Sequence, residues 1–410
     1  MTAPKLRFKE FDGDWTLQNL GDSFSLISGY AFPSSSSVDV GARWLKIADV
    51  GIQEMTPNNP SYLPLEYLDK YSQFIVSKND YVIALTRPIL NKKLKIAKVG
   101  ELYDGALLNQ RVAKIYSKTN DLDFIYSLLQ KSKTVEELEN SIAGTDPPNL
   151  SLNDVKEIKL GFPSKEEQMK IASFLSAVDE KISQLTQKHQ LLSQYKQGMM
   201  QKLFSQQLRF KADNGSEFGE WESKKISDLF DEVRNKVADR DIETYSITAG
   251  KGFVSQANKF GRDISGKQNS NYIVLKPNDF SYNKGNSKTY KYGCVYLNEL
   301  NYDIAVPNVF ISFRSKKLNL VHEKFYSKLF EFHYLDKYLR LLISSSARMD
   351  GLLNVSKDGF FEIKLPYPCL EEQTKIANFL SAIDQNIEVT AQQIEQAKQW
   401  KKGLLQQMFV

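Results

Sequence analysis

The chain has 410 residues, enough for two or three domains that each bury a core of their own. Apolar residues make up 41% and charged residues 25%, ordinary globular proportions that exclude a disordered or low-complexity chain, and a net charge of +5 permits an anionic partner without demanding one. No run approaches the roughly 20 apolar residues of a membrane span, and the opening MTAPKLRFKEF lacks the apolar centre of a secretory signal. Cys294 and Cys369 stand far apart without metal-ligand spacing, so a reduced, cytoplasmic protein is expected.

In chain order, the first feature is Leu6-Arg7-Phe8-Lys9, followed by Trp15, Leu20, Asp22 and Phe24. Strand-like runs follow at Arg43–Ile47, Tyr81–Leu85 and Asn109–Ile115, and a short helix is predicted near Phe124–Leu129. Behind Asn79-Asp80-Tyr81 lies a basic loop, Thr86–Lys95, carrying Arg87, Lys92 and Lys93. Asp146-Pro147-Pro148-Asn149 nearly spells the Asp-Pro-Pro-aromatic motif of amino-methyltransferases. Asn149 stands where an aromatic ring would stack on a flipped base, so a rigid loop is the better reading. Then come Asn149-Leu150-Ser151, Glu157-Ile158-Lys159-Leu160 and a long amphipathic stretch, residues 163–205.

The second half repeats the frame of the first. Leu208-Arg209-Phe210-Lys211, Trp221, Ile226, Asp228 and Phe230 reproduce the opening. Asn354-Val355-Ser356, Glu362-Ile363-Lys364-Leu365 and residues 368–410 reproduce the close, without a gap. Between these ends the halves diverge. Strands are predicted at Tyr272–Leu275 and Val309–Phe313, and a helix near Tyr334–Ile343. After Asn278-Asp279-Phe280 comes a second basic loop, Tyr282–Tyr292, with Asn283, Lys284, Asn286 and Lys288. Lysine, arginine and asparagine among tyrosines suit phosphate contacts and base-edge hydrogen bonds. A solvated charged turn is the plainer reading of either loop alone; their matching places favour DNA. Gly261–Gln268 nearly spells a phosphate-binding loop, but Gln268 replaces the Mg²⁺-binding hydroxyl and no clear strand precedes it. His189, His322 and His333 form no cluster, and no catalytic or metal constellation emerges.

The repeated stretch carries a heptad seam. Ile171, Val178, Leu185, Leu192 and Met199 alternate with Leu175, Ile182, His189, Lys196 and Leu203. The second copy has Ile376, Ile383, Thr390, Ala397 and Leu404 alternating with Leu380, Ile387, Ile394, Lys401 and Met408. About five heptads at 1.5 Å per residue make a rod of about 60 Å. If the two helices pair, chain order makes them antiparallel about a pseudo-two-fold axis, bringing Val410 near the start of the first domain. Lys196 and Lys401 interrupt the seam at equivalent places, as a register-fixing polar residue does. Gly198 and Gly403 are also equivalent and predict a close helix approach or a bend.

The twice-repeated Glu-Gln-x-x-Ile-Ala-x-Phe-Leu-Ser-Ala-x-Asp, residues 167–179 and 372–384, and the Asn-x-Ser…Glu-Ile-Lys-Leu lead-ins resemble the DNA-specificity subunit of type I restriction–modification enzymes over the whole chain. The resemblance implies an α+β fold with two mixed α/β target-recognition domains, residues 1–155 and 208–360, separated by antiparallel coiled-coil helices, residues 156–207 and 361–410. It implies that each domain binds half of a split double-stranded DNA site. It further implies that the helices dock two methyltransferase subunits, with restriction subunits joining them. Phe174 and Phe379 are candidate partner contacts, one per copy. No cofactor is expected on this chain; S-adenosylmethionine, ATP and Mg²⁺ are expected on the partners. The specificity protein of a methylation-only system and a non-enzymatic scaffold remain alternatives.

Overall fold

A computed structural model describes residues 3–57, 59–142, 147–257, 270–285, 290–316, 319–343 and 353–410. The chain divides into two compact units, Met1–Gln187 with Ala391–Val410, and Lys188–Thr390.

Each unit is built on a four-stranded antiparallel sheet. In the first unit the order is Ser25–Ser28, Val112–Tyr116, Tyr81–Ala84, Ile96–Lys98. In the second it is Phe230–Glu232, Ile311–Ser315, Phe280–Asn283, Cys294–Leu297. The topology is the same although the sequences have drifted apart. The Asn-Asp-aromatic echo is part of the reason. Asn79 and Asn278 sit in left-handed backbone, φ 73° and 67°, a conformation asparagine tolerates better than most residues. The next carboxylate folds the turn shut: Ser77 N donates to Asp80 Oδ2 at 2.8 Å, and Lys276 N to Asp279 Oδ2 at 2.7 Å.

The shared lead-ins close each domain onto its own beginning. Lys159–Phe162 pairs antiparallel with Thr16–Asn19, and Lys364–Tyr367 with Glu222–Lys225. The Asn-x-Ser serines are helix caps, with Ser151 Oγ accepting from Asn153 N at 3.2 Å and Ser356 Oγ from Gly359 N at 3.1 Å.

Both repeated stretches are single helices, Lys165–Phe204 and Leu370–Gln407. Neither contains proline, and acidic residues occupy both first turns, where they meet the positive end of the helix dipole. Every seam position is buried or half-buried. In the first unit Ile171, Leu175 and Val178 share a core with Trp15, Phe124, Phe162, Leu404, Met408 and Phe409. The direction is antiparallel there: Asp179 meets Lys401 at 2.6 Å, and Phe409, at the far end, packs edge-on to Trp15 at 6.3 Å. The Leu6 amide donates to Gln407 O at 2.9 Å, so the last turn does lie at the start of the first domain. In the second unit Met200, Leu203 and Phe204 share a core with Ile376, Leu380, Ile383 and Phe325.

The helix predicted near Tyr334–Ile343 is present as Asp336–Leu342. The counterpart of Leu122–Leu128 in the second domain, however, is a preceding helix that the sequence did not announce, Glu323–Glu331. Its apolar residues Phe325, Tyr326, Leu329 and Phe330 have helical spacing but sit among lysines and glutamates that masked them. The expectation for Gly198 and Gly403 needs correction: a Cβ built on either would meet no atom within 4 Å, and both helices run on unbroken. Gly198→Ala and Gly403→Ala should therefore each stabilise the isolated chain by about 1 kcal/mol, read as a raised denaturation midpoint.

Candidate nucleic-acid interface

The two basic segments do occupy one topological place. Each leaves the third strand of its sheet and returns on the fourth. In the first domain the segment is not a loop but a hairpin, Ile89–Leu90 against Lys93–Leu94. Its two-residue turn, Asn91-Lys92, has φ 51° and 57°, the left-handed pair of a type I′ turn. Asparagine suits the first position, and buried Leu94 anchors the returning strand. Behind the hairpin stands the Pro147-Pro148-Asn149 segment; Asp146 lies outside the described residues. Arg87 N donates to Pro148 O at 2.7 Å, Leu150 N to Leu85 O at 2.7 Å, and Thr86 Oγ1 to Asn149 Oδ1 at 2.7 Å. The described part of the near-methyltransferase motif, Pro147–Asn149, is thus a buttress for the hairpin.

Arg87, Lys92 and Lys93 are exposed on this hairpin. Arg87 is held at φ 47°, and long side chains rarely adopt positive φ. Such conformations persist where surrounding contacts impose them, and they cluster at working sites. Lys92, at φ 57°, carries the same steric penalty at an exposed position. Lys92→Gly should therefore leave thermal stability unchanged or raised by about 1 kcal/mol, while weakening DNA binding at low salt. Loss of stability together with unchanged binding would mean that the lysine serves the turn.

The second domain presents its segment differently. Asn283 and Lys284 are half-buried. Asn283 Nδ2 donates to Ile247 O at 3.2 Å and its Oδ1 accepts from Gly285 N at 2.9 Å. Lys284 Nζ donates to Val355 O at 3.1 Å. On the returning side Tyr282 donates its hydroxyl to Tyr292 O at 2.7 Å, and the Tyr290 ring stacks on His333 at 4.9 Å. Asn286 and Lys288 lie outside the described residues, as does the phosphate-loop look-alike from Gly261 to Gln268. Exposed Lys291 is a cation of this segment that the sequence reading did not single out.

A second group in the first domain also went unremarked. Lys46 Nζ lies 4.2 Å from the centre of the Trp44 ring, and Arg43 lies 4.7 Å from that of Tyr103. Arg43 also donates to the Tyr103 hydroxyl at 3.1 Å, which in turn donates to Asp49 at 2.8 Å. The alternation of cation and aromatic in Arg43-Trp44-Leu45-Lys46 was the available signal.

Each domain is joined to its long helix by a repeated clamp. Buried Glu167 accepts two bonds from Arg7, at 2.8 and 2.7 Å, and one from Trp15 Nε1 at 3.3 Å. Buried Glu372 accepts from Arg209 at 3.0 and 2.8 Å and from Trp221 Nε1 at 2.8 Å. Paired Arg–carboxylate bonds of this kind are strong and directional. The clamp straps the segment carrying Phe8 or Phe210 over the helix. Phe174 is half-buried, 5.8 Å from Phe8 and 5.9 Å from Trp400, both edge-on. Phe379 is half-buried, 5.6 Å from Phe210. Both rings sit under the strap, neither freely outward nor in the seam.

The seam lysines are paired as well. In the first unit Lys401, 5% exposed, meets Asp179 at 2.6 Å and Gln130 Oε1 at 3.0 Å. In the second Lys196 meets Asp384 at 2.5 Å and also pairs with Glu331; Lys328 meets Asp384 at 2.5 Å.

Residues 13–194 and 219–399 each match the type I restriction modification DNA specificity domain. The chain belongs to the type I restriction–modification specificity family. Among its relatives, the MjaVIII specificity subunit of Methanocaldococcus jannaschii is 31% identical over 209 residues, covering 50% of this chain and 49% of the relative. The EcoAI specificity subunit of Escherichia coli is 29% identical over 175 residues, 42% of this chain and 29% of the relative. These two alignments therefore span half or less of the relatives. A putative MjaX specificity subunit from Methanocaldococcus jannaschii aligns over 98% of this chain and 94% of its own length at 24% identity. A solved specificity subunit from M. genitalium shares the fold, with a TM-score of 0.62, 17% identity, and coverage of 100% of this chain and 99% of that one. For this specificity-family chain, no group of three or more metal-ligating side chains and no helix long and apolar enough to cross a membrane occurs among the described residues.

Proposed function

We propose that the chain is the DNA-reading subunit of a type I restriction–modification complex, each domain reading one half of a split, asymmetric site. One observation carries the reading. A single sheet topology occurs twice, with the same clamp and seam pairs, yet with different side chains on the segments leaving its third strand. A constant frame bearing two different surfaces fits one assembly that reads two different half-sites. Arg87, Lys92 and Lys93 supply phosphate and base contacts in one domain, and Asn283, Lys284, Asn286 and Lys288 mark the matching segment in the other. The partly internal bonding of Asn283 and Lys284 gives them a share in shaping that segment.

The helices and their straps, with Phe174 and Phe379 beneath them, provide two equivalent surfaces for two methyltransferase subunits, which restriction subunits join. Methylation and cleavage, with S-adenosylmethionine, ATP and Mg²⁺, belong to those partners, and the assembly works in the cytoplasm.

The test is to insert one heptad into both long helices at equivalent points and map methylated bases in the host. Seven residues add about 10 Å, close to three base pairs of duplex. The unread gap should widen while both half-sites stay the same. A continuous or palindromic motif, or altered half-sites with an unaltered gap, would overturn the proposal.

A further inference from the structure

We infer that Gln168 and Gln373 are the joints that set the angle of each recognition domain on its own long helix, and thereby the gap length the chain accepts. This rests on the split-site reading above. Both amides are buried, at 3% and 0% exposure. Gln168 Oε1 accepts from the Asp121 amide at 2.9 Å, while its Nε2 donates to Asn120 Oδ1 at 2.9 Å and Pro163 O at 3.0 Å. Gln373 Oε1 accepts from the His322 amide at 2.9 Å, while its Nε2 donates to Leu320 O at 3.2 Å and Pro368 O at 2.9 Å.

Asp121 and His322 are the N-cap residues of the domain helices Leu122–Leu128 and Glu323–Glu331. In a capping box the N-cap amide is satisfied by a Glu or Gln three residues later in the same helix. Here those positions hold Phe124 and Phe325, both fully buried in the domain cores. Neither can return a bond, and the missing acceptor comes from the long helix instead. The box is completed in trans, across the boundary between domain and helix.

Apart from Asn120, every partner of the two glutamines is backbone. The joint therefore holds a domain whose side chains are free to change, as they do between the halves. The preceding glutamate holds the strap, so two adjacent residues of each long helix grip the domain at two points. The second joint bears more of the load, because His322 makes no side-chain cap bond whereas Asp121 accepts from Phe124 N at 2.9 Å.

The test uses the full chain and duplexes carrying the two mapped half-sites at the native gap and at one base pair more or less. The wild type should prefer one gap. Gln168→Met and Gln373→Met should each reduce that preference at least about fivefold, the second more, as loss of a buried hydrogen bond predicts. Binding to a duplex with a single half-site should stay unchanged. Variants that keep the full preference overturn the joint alone, and a wild type without any preference overturns the split-site reading and the joint together. If the variants do not fold, amide exchange in the wild type decides: the His322 and Asp121 amides should exchange as slowly as the helices they cap, and exchange at the rate of exposed loops sinks the inference.

Discussion

Arg209→Ala should unfold the second unit at far lower denaturant than the wild type, at a cost of about 3–5 kcal/mol. Glu372 is fully buried, and its carboxylate is held by the Arg209 fork and the Trp221 indole. Removing the guanidinium strands a charge in the interior with one neutral donor, the costly way to break a buried pair. Replacing both partners, Arg209→Met with Glu372→Leu, should recover most of the loss, because no charge then remains to be solvated. Urea melts of the two variants separate the cases. If Arg209→Ala costs no more than a surface pair, under about 1 kcal/mol, the clamp is ornamental. Arg7→Ala should do the same to the first unit, through Glu167, and should free the ring of Phe174 from Phe8.

The second large effect lies in the seam. Asp179→Ala leaves Lys401, 5% exposed, facing the neutral acceptors Gln130 and Gln53. The cost should be about 2–4 kcal/mol, below the full range for buried pairs because Asp179 is itself partly solvated. Adding Lys401→Met to that variant should restore stability, since an apolar side chain then fills an apolar seam. Lys401→Met alone should be near neutral in stability, yet it removes the polar contact that fixes register. Exchanging the pair, Asp179→Lys with Lys401→Asp, should be tolerated far better than either half of the exchange. Denaturation of the wild type, Asp179→Ala, Lys401→Met and their double variant forms a double-mutant cycle, and a coupling energy near zero would show that the lysine is solvated in solution.

The repeat, the long helices, their seam and the central strands Tyr81–Ala84, Val112–Tyr116 and Ile311–Ser315 follow from the sequence alone, because identity at a constant offset and apolar periodicity are local properties of the chain; the other strands of the two sheets are too short to show a period. The matching of the two basic segments also followed from a local signal. Asn79-Asp80 and Asn278-Asp279 build the same left-handed turn whatever surrounds them. The family was likewise legible in the repeated Glu-Gln…Asp motif and its lead-ins.

What each residue of that motif does was decided only in three dimensions. Glu167, Asp179 and Lys401 could be seen to recur, but nothing in their spacing shows that Glu167 takes Arg7 or that Asp179 takes Lys401. Those partners are brought together by the closure of the domain onto its own beginning and by the antiparallel return of the second helix. The same holds for Gln168, whose partner Asp121 lies in the divergent domain. The hairpin at Asn91-Lys92 escaped the sequence reading because no glycine announces its turn; the left-handed backbone there is imposed from outside, by strand pairing and the Pro147–Asn149 buttress. Gly198 and Gly403 erred the other way, since glycine marks permissiveness in the sequence and only the packed helices show that no neighbour uses it. Periodicity fixes which face of an element is buried; which charge meets which is a property of the closed fold, because burial makes an unpaired charge too costly to leave to chance.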